Sequence, residues 1–537
     1  MVAKITDKEL LDLYDKFGNA QAVSDMLSTS GITLSKRGVQ HRLHVAYPNY
    51  VDDHGKRKRV KQEENTKPVA AGTVQSPDKQ RHTLVGQAFV FTTAQNNTYV
   101  HKEFLASLKT FCEHKKAQLI VSTTTYNKSG FQNGTKDSDV WYDPLIKPYI
   151  INESCTVAKD LIFCGELDVL PTAVYPLSGF ENYTRDASGI IPHTKVQMQS
   201  LPRMKDSPGR FMYTTGAVTQ RNYIQRKAGQ KAGFHHVFGA LFVEIDANGE
   251  WFARQLIANE SGVFHDLNEC FTPDSISPAN VEAITWGDIH IEKIDVNVFM
   301  QAWGNSSSML QTLNPSFQFI HDLTDFTARN HHNIRDPFYM AKMHHQDTGN
   351  VERDMKRSGS FLQHITRLGN TAVVVESNHD QAFQKWLREA DVRIDPENAE
   401  YFHTASALVH KNIREGNYEF NVYEWAVTDN GAIKSKTIFL REDDSFQVCG
   451  IEQGLHGHRG PNGARGNPKG FKTLGRKVNI GHMHTAAIID GVYVAGVSGR
   501  LDMDYNKGPS SWSHSHIVTY ANGKRAMITM KNGKWRA

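Results

Sequence analysis

The sequence predicts an α/β protein: two sheets packed face to face with helices outside over the last half, an α/β segment ahead of them, and a small helical unit at the start. Three observations predict it. Short β-branched or aromatic runs at 281–286, Phe317–Ile320, 372–375, 446–451 and 477–480 read as buried strands separated by helix-length intervals. From Asn421 onward short strands alternate with tight-turn pairs, Asn430-Gly431, Asp490-Gly491, Asn522-Gly523 and Asn532-Gly533. Residues 6–46 instead carry capped, amphipathic helical segments.

The totals bound this reading. A chain of 537 residues is too long for one ordinary domain and predicts two or three. No apolar run approaches the ~20 residues that cross a bilayer, and the first residues lack the apolar core of a secretory signal, so a cytoplasmic protein is expected. Five cysteines without CxxC spacing predict reduced thiols. A net charge of +4 does not by itself imply a nucleic-acid partner, which leaves that case to local patches.

In order, residues 1–49 predict a helix-turn-helix-like unit. Thr6 with Glu9 forms a capping-box pattern, Gly18-Asn19 breaks the first helix, the second ends near Gly31, and Ser35 caps a third. Lys36, Arg37, Gln40 and Arg42 on that third segment are candidate DNA contacts; the competing reading is a bundle used for packing. Residues 50–83 predict a flexible linker whose basic run, Lys56, Arg57, Lys58 and Arg59, suits phosphates without sequence preference. Residues 84–278 predict an α/β domain of their own, with a βαβ unit from strands at 85–92 and 118–123 and a helix at 102–114, and further strands at Leu161–Cys164, 195–198, Arg210–Thr214 and 237–245. Its basic–aromatic patch, Arg203, Lys205, Arg210, Arg221, Arg226, Lys227 and Lys231 with Tyr213 and Tyr223, suits nucleic acid about as well as an ordinary surface. Residues 279–537 form the last domain, with helices expected at 296–313, 336–346, 350–368, Gln381–Glu389 and Ala399–Arg414.

The chemistry sits at the ends of that domain's strands. Asp288 and His290 follow the first run, Asp322 and Asp325 the second, Asn378, His379 and Asp380 the third, His456 and His458 the fourth, and His482 and His484 the fifth. Ligands after sheet strands can converge on one crevice although far apart in sequence. Asp, Asn and His together suit a borderline divalent ion such as Mn, Fe or Zn, and one Asp shared between two ions is what a two-metal phosphoester site requires.

The series D-x-H, D-x-x-D, N-H-D, H and G-H-x-H resembles the calcineurin-like metallophosphoesterases, which include the SbcD-type nucleases of double-strand-break repair. His321 and Ser377 stand where the family usually has glycine. The resemblance implies a two-sheet α/β sandwich and two divalent ions, Mn foremost, with Mg, Fe or Zn open. One ion would take Asp288, His290, Asp322 and His484; the other Asp322, Asn378, His456 and His482, with His458 the alternative to His456. His379 would be the catalytic histidine, oriented by Asp380 or Asp325. The Gly-, Arg- and Lys-rich loop 459–472, with Arg459 and Arg465, would add DNA contacts. The function implied is a DNA nuclease. A phosphatase, a cyclic-nucleotide phosphodiesterase, and a non-catalytic DNA-binding protein on the same fold are the alternatives, and homo-oligomerisation stays open. The layout is also similar to the early DNA-transfer, host-DNA-degrading proteins of T5-like bacteriophages, which would place the chain in the host cytoplasm.

Overall fold

The structure is a computed structural model and describes residues 5–17, 19–30, 32–47, 81–126, 140–330 and 333–537. Gly18, Gly31, the Lys56–Arg59 run with most of the linker, and His331-His332 lie outside the described residues. The chain divides into two compact units, Met1–Gln80 and Arg81–Ala537.

The first unit holds three helices, α1 (Asp7–Phe17), α2 (Ala20–Thr29) and α3 (Lys36–Ala46). The expected capping box closes: the Thr6 amide donates to Glu9 Oε2 (2.8 Å) and the Glu9 amide to Thr6 Oγ1 (3.3 Å). Asn19 and Ser35 cap α2 and α3 through side-chain oxygens. Leu10, Tyr14, Val23, Leu27, Val39 and Leu43 form the core. At Gly38 a Cβ would press on Leu34, so the residue that weakens α3 by propensity also lets it pack closely.

The second unit is mixed α/β. Its six-stranded sheet runs Thr437–Leu440, Thr371–Val375, Phe317–Ile320, Val281–Thr285, Ser515–Tyr520, Arg525–Thr529; the first four are parallel and the last two join antiparallel. Helices Val351–Ile365, Gln381–Glu389 and Val422–Val427 bury their apolar faces on it, around Trp286, Trp303, Phe361 and Phe383. The helix expected at 296–313 is broken into Val296–Phe299, a π turn at Met300–Gly304, and Met309–Leu313. The cause is the polar run 305–308: Asn305 Nδ2 donates to the Met300 carbonyl and Ser308 caps the restart.

The expected βαβ unit is present as Ala88–Gln95, Lys102–Lys115 and Gln118–Thr124, within a four-stranded sheet. Strands from both sides of the division expected at residue 278 build an eleven-stranded sheet. Met198–Leu201 pairs with Ala487–Ile489, so Leu161–Cys164 and Arg210–Thr214 lie in the same sheet as Ile451–Glu452 and Lys477–Ile480. The strand expected at 195–198 begins at Met198, because the Gln197 amide is taken by Thr214 Oγ1 (2.6 Å). The eleven- and six-stranded sheets meet through Asn479, whose Nδ2 donates to Thr285 Oγ1 and Gln453 Oε1, both at 3.1 Å. Among the described residues no helix is long and apolar enough to cross a membrane.

Candidate metal centre

Parallel pairing puts the carboxyl ends of Val281–Thr285, Phe317–Ile320 and Thr371–Val375 along one edge. Ile451–Glu452 and Lys477–Ile480, parallel to each other, bring their own ends to the same place. Asp322 lies at the meeting point. Its Oδ2 is 3.5 Å from His290 Nε2 and 4.0 Å from His484 Nε2, while its Oδ1 is 3.3 Å from His456 Nε2. Asp288 Oδ2 is 3.1 Å from His484 Nε2, and the Nε2 atoms of His290 and His484 are 3.0 Å apart. One ligand atom each from Asp288, His290, Asp322 and His484 falls within 4.8 Å of the others, and all four side chains are buried, a set able to hold a metal ion. A second such group is His290, Asp325 and His379.

The backbone is bent to make this possible. His290, Asp322, His482 and His484 have φ of 46°, 44°, 70° and 57°, the left-handed region that non-glycine residues occupy at a cost. Each turns the chain sharply off its strand and aims a side chain across the crevice. Gly481 lies where a Cβ would run into Asp288 Oδ1 and the His321 ring, so only glycine lets this turn pass under the carboxylate.

Burial and charge decide the electrostatics. Burial, with Asp322 beside it, lifts the Asp288 carboxyl to about 6. For Asp322 burial works the same way, but His456, His379, His484 and His290 outweigh it and hold it well below the carboxylate range. Burial opposes a charged His484, yet its bonds to Asp288 and Asp322 win and raise it to about 9. Burial depresses His290, His321 and His482 to about 4. Two buried carboxylates thus face the His484 imidazolium and the neutral rings of His290, His321 and His482. Asp288 Oδ1, Asp322 Oδ1, His456 Nε2 and His484 Nδ1 find no hydrogen-bond partner among the described residues. Unpaired lone pairs around buried carboxylates are what a cation would satisfy.

The remaining predicted residues divide. His456, not His458, touches Asp322; His458 Nε2 faces Glu442 Oε1 at 3.1 Å. His482 packs its ring on His456 at 5.2 Å between centroids. Asn378 is exposed and lines a neighbouring groove with Glu376, Gln381, Lys385, Arg441 and Arg459; among the described residues no hydrogen bond joins it to the cluster. His379 stacks edge-on against His290 at 4.8 Å, with Nδ1 3.1 Å from the Asp325 carbonyl oxygen and 3.8 Å from Asp325 Oδ1. Asp325 also meets His290 Nδ1 (3.0 Å) and Lys293 (2.9 Å). Asp380 faces elsewhere. Its Oδ1 accepts from the Thr324 amide and hydroxyl and from Tyr423, and its Oδ2 accepts from Ser377, so it ties two site loops together and Asp325 is the carboxylate beside His379.

Sequence reasoning passed over three neighbours. Glu292 accepts the amides of Asp325 and Phe326 (2.6 and 3.0 Å) and clamps their loop. Trp512 sits edge-on to His484 at 4.2 Å. His321, which stands where the family usually has glycine, is buried with Nδ1 3.3 Å from His456 Nδ1; its place directly before Asp322 was the available signal. Of the candidate DNA contacts, Lys36 and Arg37 are exposed and Gln40 half-buried. Arg42 is taken up by Asp7 Oδ1 (Nε at 2.8 Å) and the Ile5 carbonyl (3.0 Å), a fastening of α3 onto the start of α1. Arg459 and Arg465 are exposed, and Arg459 pairs with Glu442 at 2.6 Å. The patch expected over 203–231 is largely spent internally: Arg221 on Glu260, Lys205 on Asp502, Arg210 on backbone carbonyls, with Tyr213 and Tyr223 buried.

No family model and no solved structure matches the chain. Protein A1 of Escherichia phage T5 is 45% identical to it over 491 residues, which covers 89% of this chain and 88% of that protein.

Proposed function

The chain belongs to the same family as Protein A1 of Escherichia phage T5, and we propose that it is a divalent-metal-dependent phosphodiester hydrolase acting on DNA. The observation that carries this reading is Asp322, whose two oxygens reach histidines from different strand ends, on a crevice that Asp288, His379 and His484 also line. That ordered series, on two facing sheets, supports a calcineurin-like metallophosphoesterase core. Asp288, His290, Asp322 and His484 would hold one ion. Asp322, His456 and His482 would hold a second, with Asn378 as a further donor. Bound there, two divalent ions, Mn foremost, would supply Lewis acidity, making a water acidic and neutralising phosphoryl charge.

The chain's own residues have separate tasks. Asp325 fixes one face of His379 through its carbonyl, which leaves Nε2 to pass a proton to the leaving oxygen. Burial alone would discharge His379, but Asp322 and Asp325 raise its pKa overall and favour the protonated donor. Trp512 and the surrounding burial keep His484 out of bulk water. Lys36 and Arg37 in the first unit, and independently Arg459 and Arg465 in the second, are exposed charges suited to phosphates.

The test is the purified chain with Mn or Mg on plasmid, linear duplex and single-stranded DNA, beside a generic phosphomonoester. Metal-dependent DNA cleavage abolished by chelator is expected. Turnover of the monoester with DNA left intact would replace the nuclease reading by a phosphatase.

A further inference from the structure

A second charged surface lies in the same unit. Tyr175 is over one-third exposed (38%), with Lys469 Nζ 4.8 Å and Lys472 Nζ 5.2 Å from its ring centre. Lys472 pairs with Asp490, whose Oδ1 is 3.6 Å from His235 Nδ1. Next to His235, Phe234 is 84% exposed. Lys231, exposed one helical turn earlier, and Lys195 act on the same His235. Lys472 pairs with Asp490 and shares the Tyr175 ring with Lys469, while Lys231 and the buried Lys195 act on the adjoining His235, so Tyr175 and Phe234 both adjoin a basic group.

We propose that Tyr175, Phe234, Lys231, Lys469 and Lys472 form a binding track for single-stranded nucleic acid. The chemistry is specific in kind. Exposed rings offer stacking faces to unpaired bases of any sequence, and lysines beside them meet the phosphates, whereas a duplex hides its base faces. The track adjoins the candidate metal centre through one apolar cluster. Phe471, between Lys469 and Lys472, packs in one apolar cluster with Leu455 and Met483, which adjoin His456, His482 and His484. The inference deepens the DNA-hydrolase reading by naming the form of the substrate, and rests on it for the direction in which the strand would run.

Binding is measured on the full chain with chelator present, so hydrolysis plays no part. The probes are a fluorescein-labelled oligothymidine and a duplex of equal length, read by anisotropy over a salt series. Phe234→Ala and Tyr175→Ala should weaken oligothymidine binding by roughly tenfold each, the scale of one lost stacked base. The double variant Lys231→Gln, Lys469→Gln should flatten the slope of log K against log salt by about 1.4, or ~0.7 per neutralised phosphate. Melting curves verify that these exposed substitutions leave the fold intact. Unchanged oligothymidine affinity in the aromatic variants, or equal losses on duplex, would overturn the proposal. A small chromogenic phosphodiester supplied with Mn separates the two readings: its hydrolysis tests the metal centre alone, while oligothymidine binding tests the track alone.

Discussion

At the scale of single residues, Asp322 and His379 both adjoin His290 and should fail in different ways. Asp322 reaches both histidine groups, so Asp322→Ala should abolish tight Mn binding in a calorimetric titration and activity with it. His379 packs edge-on against His290 and is held by the Asp325 carbonyl, outside the four-residue set around Asp322, so His379→Ala should keep its Mn isotherm and lose roughly 100- to 10,000-fold in kcat, the usual worth of a general acid. Tight Mn binding in Asp322→Ala, or full turnover in His379→Ala, contradicts the assignment. Buried histidines outside the candidate ligand set give a pH dependence of stability. Burial depresses His193 and His516 to about 3 and His236 to about 4, each below the ~6.5 of a free imidazole. The unfolded chain therefore takes up protons first. The stability these neutral rings contribute is whole above pH 6.5 and is lost as the pH falls towards 4, at up to about 1.4 kcal/mol per pH unit for each group. With chelator present the melting midpoint should drop by several degrees between pH 7 and pH 5; a flat profile would mean that these rings charge in place.

Secondary-structure elements place the ligands by how they end. The strand-then-ligand pattern was legible in the sequence because buried parallel strands are short apolar runs and the polar residues after them stand out. The turn beyond each strand was less legible. Nothing in the order of residues announces that His290, Asp322, His482 and His484 adopt left-handed backbone, since that conformation is imposed by the crossing of neighbouring turns. Asp380 shows the same limit: adjacent to His379 in sequence, it is turned by the start of helix Gln381–Glu389 towards Thr324 and Tyr423. Arg42 looked like a base contact from its helix position, but only the folded helix places Asp7 within its reach. The turn after Lys477–Ile480 yields the sharpest element-scale prediction. Gly481→Ala puts a methyl against Asp288 Oδ1 and the His321 ring, both buried and backed by other strands. Metal affinity should fall at least as far as on losing a supporting residue of a metal site, about 10- to 100-fold, with a small change in melting temperature. Wild-type Mn affinity in Gly481→Ala would show that the turn has room to shift.

Across the whole molecule, the alternation of strands and helices foretold an α/β chain, and the helical start foretold a separate unit. The sequence could not foretell the eleven-stranded sheet, because pairing between Met198–Leu201 and Ala487–Ile489 joins segments almost 300 residues apart and leaves no local signature. The break at Gln80 and Arg81 is the level at which the functional reading can be divided experimentally. Arg81–Ala537 contains every residue of the candidate metal centre and its own cores, so it should fold and hydrolyse a small phosphodiester as the full chain does. Met1–Gln80 contains Lys36, Arg37 and the Lys56–Arg59 run, so removing it should weaken binding to long duplex DNA and make it less salt-sensitive. Counterion release sets the scale: each phosphate that is no longer neutralised lowers the slope of log K against log salt by roughly 0.9 on duplex. If α3 reads bases, preference among duplex sequences should vanish as well. Binding by Arg81–Ala537 with the affinity, slope and sequence preference of the full chain would assign the three helices to packing or assembly, and would leave DNA binding to the surface around Arg459, Arg465 and the Tyr175 track.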